Sequence, residues 1–194
     1  MHKNEFARCY SCYYAILVVL LAIFCTYHKE LFLYQRTLFE EHQIWRLFSG
    51  HFSHLNNKHL LSNLLAWSII FILGFNYLSI KRCLALLFVL TLSISLCLYY
   101  YVPTVIFYGG LSGVLHGYFA YILVEWIKRK QKLAWLILFL LLMKVLIENF
   151  SNGVSTGEYL DIRVISEVHI IGTFVGIFTA LLIPKISLFK AKQL

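Results

Sequence analysis

The sequence predicts an all-α membrane protein of six spanning helices, with one short central helix carrying a serine. Three observations carry that prediction. Of 194 residues, 60% are hydrophobic and 13% charged, more apolar surface than a water-soluble domain of this size can hide. The apolar residues fall in six runs, 13–27, 59–77, 83–102, 112–126, 133–147 and 164–183. Several approach the ~20 residues that cross a bilayer as a helix, whereas barrel strands would be shorter and would alternate. Finally, the basic residues divide by side. Lys3, Arg8, Lys81, Arg82, Lys128, Arg129, Lys130, Lys132, Lys185, Lys190 and Lys192 fall on one face of the six-span arrangement. Lys29, Arg36, Arg46, Lys58 and Arg163 fall on the other, spread over longer loops.

Basic excess marks the cytoplasmic face, so both termini are expected inside. The net charge of +8 is then a topology signal with contact to anionic lipid heads, and no nucleic-acid partner is expected. Glu30, Glu40, Glu41, Glu148, Glu158, Asp161 and Glu167 fall at or near the outer side. The expected organisation is a cytoplasmic tail (1–12), a membrane domain (13–184) whose first outer loop (28–58) lies in the interface, and a second cytoplasmic tail (185–194).

The first run has Tyr13, Tyr14 and Tyr27 at its ends, as interfacial belts do, and lacks a small-residue cleavage site, so it reads as a span rather than a signal peptide. Five cysteines form no pairing framework. Cys9 and Cys12 are expected reduced at the inner surface, and Cys25, Cys83 and Cys97 are expected as small apolar filler. The 28–58 connection mixes Leu31, Phe32, Leu33, Ile44, Leu47 and Phe48 with charges, poor composition for disorder and suited to a structured interfacial segment. Trp45-Arg46 within it is either an interfacial anchor with a snorkelling cation or a fixed loop corner in which Arg46 donates to backbone carbonyls.

His51, His54 and His59 raise the question of zinc, but the spacing matches no zincin pattern and no metal is expected. His59 and Asn63 stand four apart at the head of the second run, so they share a face. Polar side chains inside a membrane helix face a cavity or a partner helix. Pro103 ends the third run, and Tyr108-Gly109-Gly110 follows it as a chain able to adopt positive φ.

The fourth run is the informative one. From Ser112 to Trp126 is fifteen residues, about 22 Å of helix against a hydrocarbon core of ~30 Å. Lys128–Lys130 pins its far end at the inner surface, so Ser112 is expected below the outer surface at the floor of a cavity. Non-helical backbone at that depth must be covered by protein or water. A helix start also offers unpaired N–H groups and a positive dipole end. Glycines on either side of Ser112 suit close helix packing as well. His116 lies one turn on and is one candidate base, although its own helix holds it away from Ser112.

The fifth run ends in Lys144 and Glu148, spaced as an (i, i+4) ion pair and expected to be structural, joined by Arg163. The 149–163 connection, with Gly153 and Gly157, is expected as a mobile loop over the cavity. In the sixth run His169, Gly172 and Gly176 share one helical face. Glycines let another helix approach, which brings His169 towards Ser112. Glu167, two residues before His169, points elsewhere, so no carboxylate is expected on His169 and the arrangement is read as a dyad. A base must be neutral to accept a proton, and a low-dielectric setting favours that.

Trp45-Arg46, His59-x-x-x-Asn63, Gly110-Leu111-Ser112-Gly113 and His169-x-x-Gly172-x-x-x-Gly176 resemble, in order and placement, the motifs of the rhomboid intramembrane serine proteases. The run Gly-Leu-Ser-Gly-Val-Leu-His-Gly is most similar to the rhombosortase branch. The resemblance implies a rhomboid-like bundle with Ser112 as nucleophile and His169 as base. It implies an oxyanion site from His59, Asn63 and the Ser112 N–H, no cofactor, and a bacterial inner-membrane location. The substrates it implies are single-pass membrane proteins with a Gly-Gly C-terminal tail, cut and passed to water or to an amine. His116 departs from the aromatic residue, often Tyr, that many rhomboids place there, and Val168 from the small residue usual in the branch. The rival readings are a rhomboid protease of broad specificity and a non-catalytic membrane chaperone of the same fold, whose members typically lack the Ser/His pair.

Overall fold

The computed structural model of the chain describes residues 2–74, 78–151 and 154–183. Helix α1 (His2–Tyr27) is followed by α2 (Lys29–Phe32), strand β1 (Tyr34–Gln35), α3 (Arg36–Glu40) and α4 (Arg46–Ser49). Then come α5 (Asn57–Gly74), α6 (Ile80–Tyr101), strand β2 (Phe107–Tyr108), α7 (Ser112–Lys128), α8 (Lys132–Phe150), α9 (Val154–Leu160) and α10 (Glu167–Leu182). The long helices α1, α5, α6, α7, α8 and α10 cover the six predicted runs. The predicted span end at Tyr77, Gly153, and the C-terminal tail with Pro184, Lys185, Lys190 and Lys192 lie outside the described residues, as do the side chains of Lys3, Arg8 and Cys9.

Among the described residues, two helices, α6 and α8, are by themselves long and apolar enough to cross a bilayer. The surface is inverted relative to a soluble protein. Leu84 and Phe88 of α6, Leu136, Phe139 and Leu140 of α8, and Phe174, Phe178 and Leu181 of α10 face outward. Arg46, His51, His54, Asn63, Glu125, Glu148 and His169 are buried. An outward apolar belt of that extent marks a membrane-facing surface, and polar groups turn inward because lipid offers them no partner.

The first connection is structured, as its composition predicts, but the all-α expectation needs one correction. Tyr34 and Gln35 pair antiparallel with Phe107 and Tyr108, in the register Tyr34↔Tyr108 and Gln35↔Phe107. Two-residue strands are too short to leave an alternation in the sequence. Arg36, next to β1, donates from Nη1 to Tyr99 O at 3.0 Å and from Nη2 to Leu98 O at 3.0 Å. It thereby takes up carbonyls left open where α6 stops before Pro103. The 149–163 segment is also corrected. Its residues Val154–Leu160 form helix α9, and the segment is tied to the head of α5 by Asn56 Nδ2 donating to Leu160 O at 2.7 Å and by a Lys58–Asp161 ion pair at 2.5 Å.

Helix α7 is the axis of the bundle. Val114, Tyr118, Ala120, Tyr121, Ile122 and Leu123 are all but fully buried, enclosed by α5, α6, α8 and α10. Its tightest neighbour is α10. A Cβ on Gly172 would run into Gly113 O, and one on Gly176 into Gly117 O. At the far end Lys128 Nζ donates to Ala180 O, to Ile183 O at 2.9 Å and to Glu125 Oε1 at 3.0 Å. The two helices are therefore held together along the seam and at the end where Lys128 lies.

Because the obstacle at Gly176 is backbone and cannot rotate away, Gly176→Val is expected to cost about 1–3 kcal/mol or more. Unfolding of the purified protein in mild detergent measures this. An unchanged midpoint would mean that the seam is looser than described.

Candidate active site

The serine sits at the first residue of α7, on a loop fastened from several sides. Gly110 adopts φ +140° and lies so close to His59 that any Cβ would overlap its ring, so only glycine fits. Gly110 N donates to Gly50 O at 3.2 Å, and Tyr108 Oη donates to Gly110 O at 2.6 Å. His51 Nε2 lies 3.0 Å from Thr91 O and 2.9 Å from Ser95 Oγ, and its Nδ1 lies 3.3 Å from Tyr108 Oη. His54 Nε2 accepts from Leu111 N at 3.4 Å, and its Nδ1 lies 3.1 Å from Thr26 Oγ1. Of the three histidines that raise the zinc question in the sequence, His51 and His54 are thus committed to holding the serine loop.

The Trp45-Arg46 pair takes the loop-corner arrangement. Arg46 is buried and donates to Leu33 O at 2.6 Å, Glu30 O at 3.0 Å and Gln43 Oε1 at 2.7 Å. Trp45 Nε1 donates to Leu31 O at 3.1 Å. One guanidinium, with its five donors in a rigid fork, gathers carbonyls from α2 and the turn after it. The sequence alone could not decide this, because acceptors fourteen or so residues away leave no local pattern.

Across the glycine seam, Ser112 Oγ lies 2.8 Å from His169 Nε2. His169 is buried and Ser112 half-buried. The pairing follows from the seam, since Gly113 against Val168 and Gly172 brings the first turns of α7 and α10 into contact. Val168 is part of that packing, with its carbonyl 2.9 Å from where a Gly113 Cβ would stand.

The dyad expectation is corrected here. Glu148 Oε2 lies 2.7 Å from His169 Nδ1, both side chains being about 5% exposed or less. Glu167 is not the partner. Glu148 comes from the end of α8, which rises to the same level at which α7 and α10 begin. Lys144 Nζ lies 2.6 Å from the same Glu148 oxygen, the ion pair that spacing predicts, and 2.9 Å from His116 Nε2. His116 stacks on His169, with ring centroids 4.2 Å apart and planes at 17°, and its Nδ1 lies 2.7 Å from Ser112 O. His116 is therefore not placed as the base; it packs flat on the residue that is. The signal for Glu148 is a carboxylate at the end of an apolar run, which its spacing from Lys144 explains without His169. Donor atoms of His116, Glu148 and His169 lie within 4.8 Å of one another, a spacing that also suits a metal, and the Lys144 ammonium is within hydrogen-bond distance of His116 and Glu148.

His59 is buried and lines a cavity of about 420 Å³ together with Phe107, Gly109, Ser112, Arg163 and Val168. Its Nδ1 has no hydrogen-bond partner among the described residues. Its helix start is capped by Asn56 Oδ1, which accepts from His59 N at 2.8 Å. Asn63, one turn further in, is buried and donates from Nδ2 to His59 O at 3.2 Å, so it is not among the residues lining the cavity. Arg163 lines the cavity rather than joining the Lys144–Glu148 pair.

The arrangement can carry a proton from a hydroxyl to an imidazole beneath an open cavity, at a helix start with free N–H groups. The sequence model of the family described as Rhomboid domain matches residues 41–186, a stretch that contains every one of these groups. No curated protein matches the chain.

His51 and His54, in the connection between α1 and α5, are pushed by burial down to about 4 and about 3. An unfolded histidine titrates near 6.5, so between those values the unfolded state binds more protons. Stability is complete above about pH 6.5 and lost as pH falls towards about 4, by a few kcal/mol in order of magnitude. Melting in detergent across that range should show the decline, and His54→Gln should flatten it. A midpoint indifferent to pH would contradict this role for the histidines.

Proposed function

The chain belongs to the rhomboid family, and we propose that it is an intramembrane serine endopeptidase acting through Ser112 and His169. Its substrates are single-pass exported proteins whose C-terminal tail carries a Gly-Gly motif before a membrane helix. It works in the inner membrane of a Gram-negative bacterium with both termini in the cytoplasm. Membership of the family makes a membrane helical bundle and a serine peptidase the expected class. The observation that carries the catalytic assignment is the 2.8 Å contact between Ser112 Oγ and His169 Nε2 at the edge of the cavity. The Gly-Gly preference rests on the likeness of Gly110–Gly117 to the rhombosortase serine motif, and the orientation on the distribution of Lys and Arg.

In this reading the substrate helix unwinds near its small residues and lays the scissile carbonyl beside Ser112. His169 Nε2 takes the hydroxyl proton as Ser112 Oγ attacks the carbonyl carbon. The tetrahedral oxyanion receives hydrogen bonds from the Ser112 N–H at the helix start and from the His59 ring, which lines the same cavity. Asn63 joins by turning its amide away from His59 O. His169 then gives its proton to the departing amine, and the acyl-enzyme is opened by water or by an amine of a lipid head group.

Ser112→Ala and His169→Ala are each expected to abolish processing of a Gly-Gly-tailed substrate in membranes, and the double variant to be no worse than either, because the two act as a unit. Mass spectrometry of the mature C terminus reads the outcome. Full processing by either single variant rejects the assignment. Replacement of Gly-Gly by bulky residues separates the sorting reading, which predicts loss, from a broad-specificity rhomboid protease, which predicts indifference.

A further inference from the structure

Five groups around Ser112 form a closed circuit whose proton positions are fixed by their chemistry. An ionised carboxylate only accepts, so His169 carries its proton on Nδ1 and donates it to Glu148 Oε2 at 2.7 Å. His169 Nε2 is then bare and accepts from Ser112 Oγ at 2.8 Å. On the other side an ammonium only donates, so Lys144 Nζ gives one proton to Glu148 Oε2 at 2.6 Å and one to His116 Nε2 at 2.9 Å. His116 carries its proton on Nδ1 and donates it to Ser112 O at 2.7 Å. The circuit leaves Ser112 by its hydroxyl and returns to Ser112 by its carbonyl. Each of its contacts pairs one donor with one acceptor, its one positive and one negative charge balance, and the third ammonium proton of the half-exposed Lys144 lies outside it.

We propose that Glu148 is a positioning residue for His169, making the site a Ser112–His169–Glu148 triad, and that Lys144, linked through His116 to the Ser112 main chain, opposes Glu148 in setting how basic His169 is. This rests on the serine-peptidase reading. Glu148 does two things a dyad cannot. It excludes the tautomer with Nε2 protonated, which would leave Ser112 without an acceptor. It also stabilises the imidazolium that forms as the Ser112 proton arrives, while itself remaining ionised. Lys144 acts in the opposite sense, because its charge shares the same carboxylate oxygen. The other titratable groups near His169 are His116 stacked on it from α7, His59 within electrostatic reach on α5, and Glu167 on its own helix. Glu148 alone presents a carboxylate at hydrogen-bond distance among the described residues.

The test is the pH dependence of substrate cleavage and of Ser112 labelling by a fluorophosphonate, using the full chain in proteoliposomes over about pH 5 to 9. Glu148→Gln should lower kcat by roughly 10²- to 10⁴-fold with little change in KM, and should move the acidic limb of the profile to lower pH, because the imidazolium loses its counter-charge. Lys144→Met should move the same limb to higher pH. A merely structural circuit would lower the melting temperature and leave the limb in place. The proposal is overturned by Glu148→Gln retaining kcat within about twofold of wild type, or by a limb that neither variant moves. If Glu148→Gln does not fold, the Lys144→Met limb decides, an upward shift supporting the proposal and an unmoved or lowered one overturning it. Wild-type protein that neither cleaves nor is labelled rejects the serine-peptidase reading instead, whatever the variants do.

Discussion

Everything in this molecule depends on two helices approaching at the distance of their backbones. Along α7 and α10, Gly113, Gly117, Gly172 and Gly176 leave no room for a single Cβ. In lipid there is little hydrophobic drive between helices, so van der Waals contact over bare backbone is what holds such a pair. The same closeness sets the chemistry. Ser112 and His169 each lie in a first turn at one end of the seam, and a contact of 2.8 Å between them needs no long side chain or flexible loop. Lys128, spanning to the last carbonyls of α10, fixes the register from the opposite end.

A second constraint comes from the bilayer. Backbone that is not helical must be satisfied by protein at this depth, and the loop before α7 is satisfied by side chains from a distance. His51 and His54 bring α6 and α1 to bear on it, Tyr108 holds Gly110 O, and Arg46 closes the turn beneath the first connection. These groups are buried, neutral or fully bonded, which is why they are tolerated among so many apolar neighbours. Much of the polar interior of the bundle is therefore a scaffold for the loop that carries Ser112.

The cluster around His169 shows how a charged pair is accommodated at low exposure. A lone buried carboxylate carries a desolvation penalty of several kcal/mol. Glu148 meets an ammonium and an imidazole N–H on one oxygen, and the ammonium is half exposed, so the site keeps a link to water. The flat stack of His116 covers one face of the His169 ring, while its own two ring nitrogens meet Ser112 O and Lys144 Nζ.

The six apolar runs, the start of α7 at Ser112, the shared face of His169, Gly172 and Gly176, and the Lys144–Glu148 pair were legible from composition and helical period, because each is a statement about neighbours three or four residues apart. The β1–β2 pairing, the helix within 149–163 and the use of His51 and His54 were not, since two-residue strands and hydrogen bonds over dozens of residues leave no periodic trace. Glu148 marks the boundary most clearly. Its spacing revealed Lys144 as a partner and hid His169, which lies twenty-one residues further on and on another helix. One-dimensional order determines which side chains share a helical face. Which faces meet, and therefore which side chains come within hydrogen-bond distance of one another, is decided only when α7, α8 and α10 come to one level.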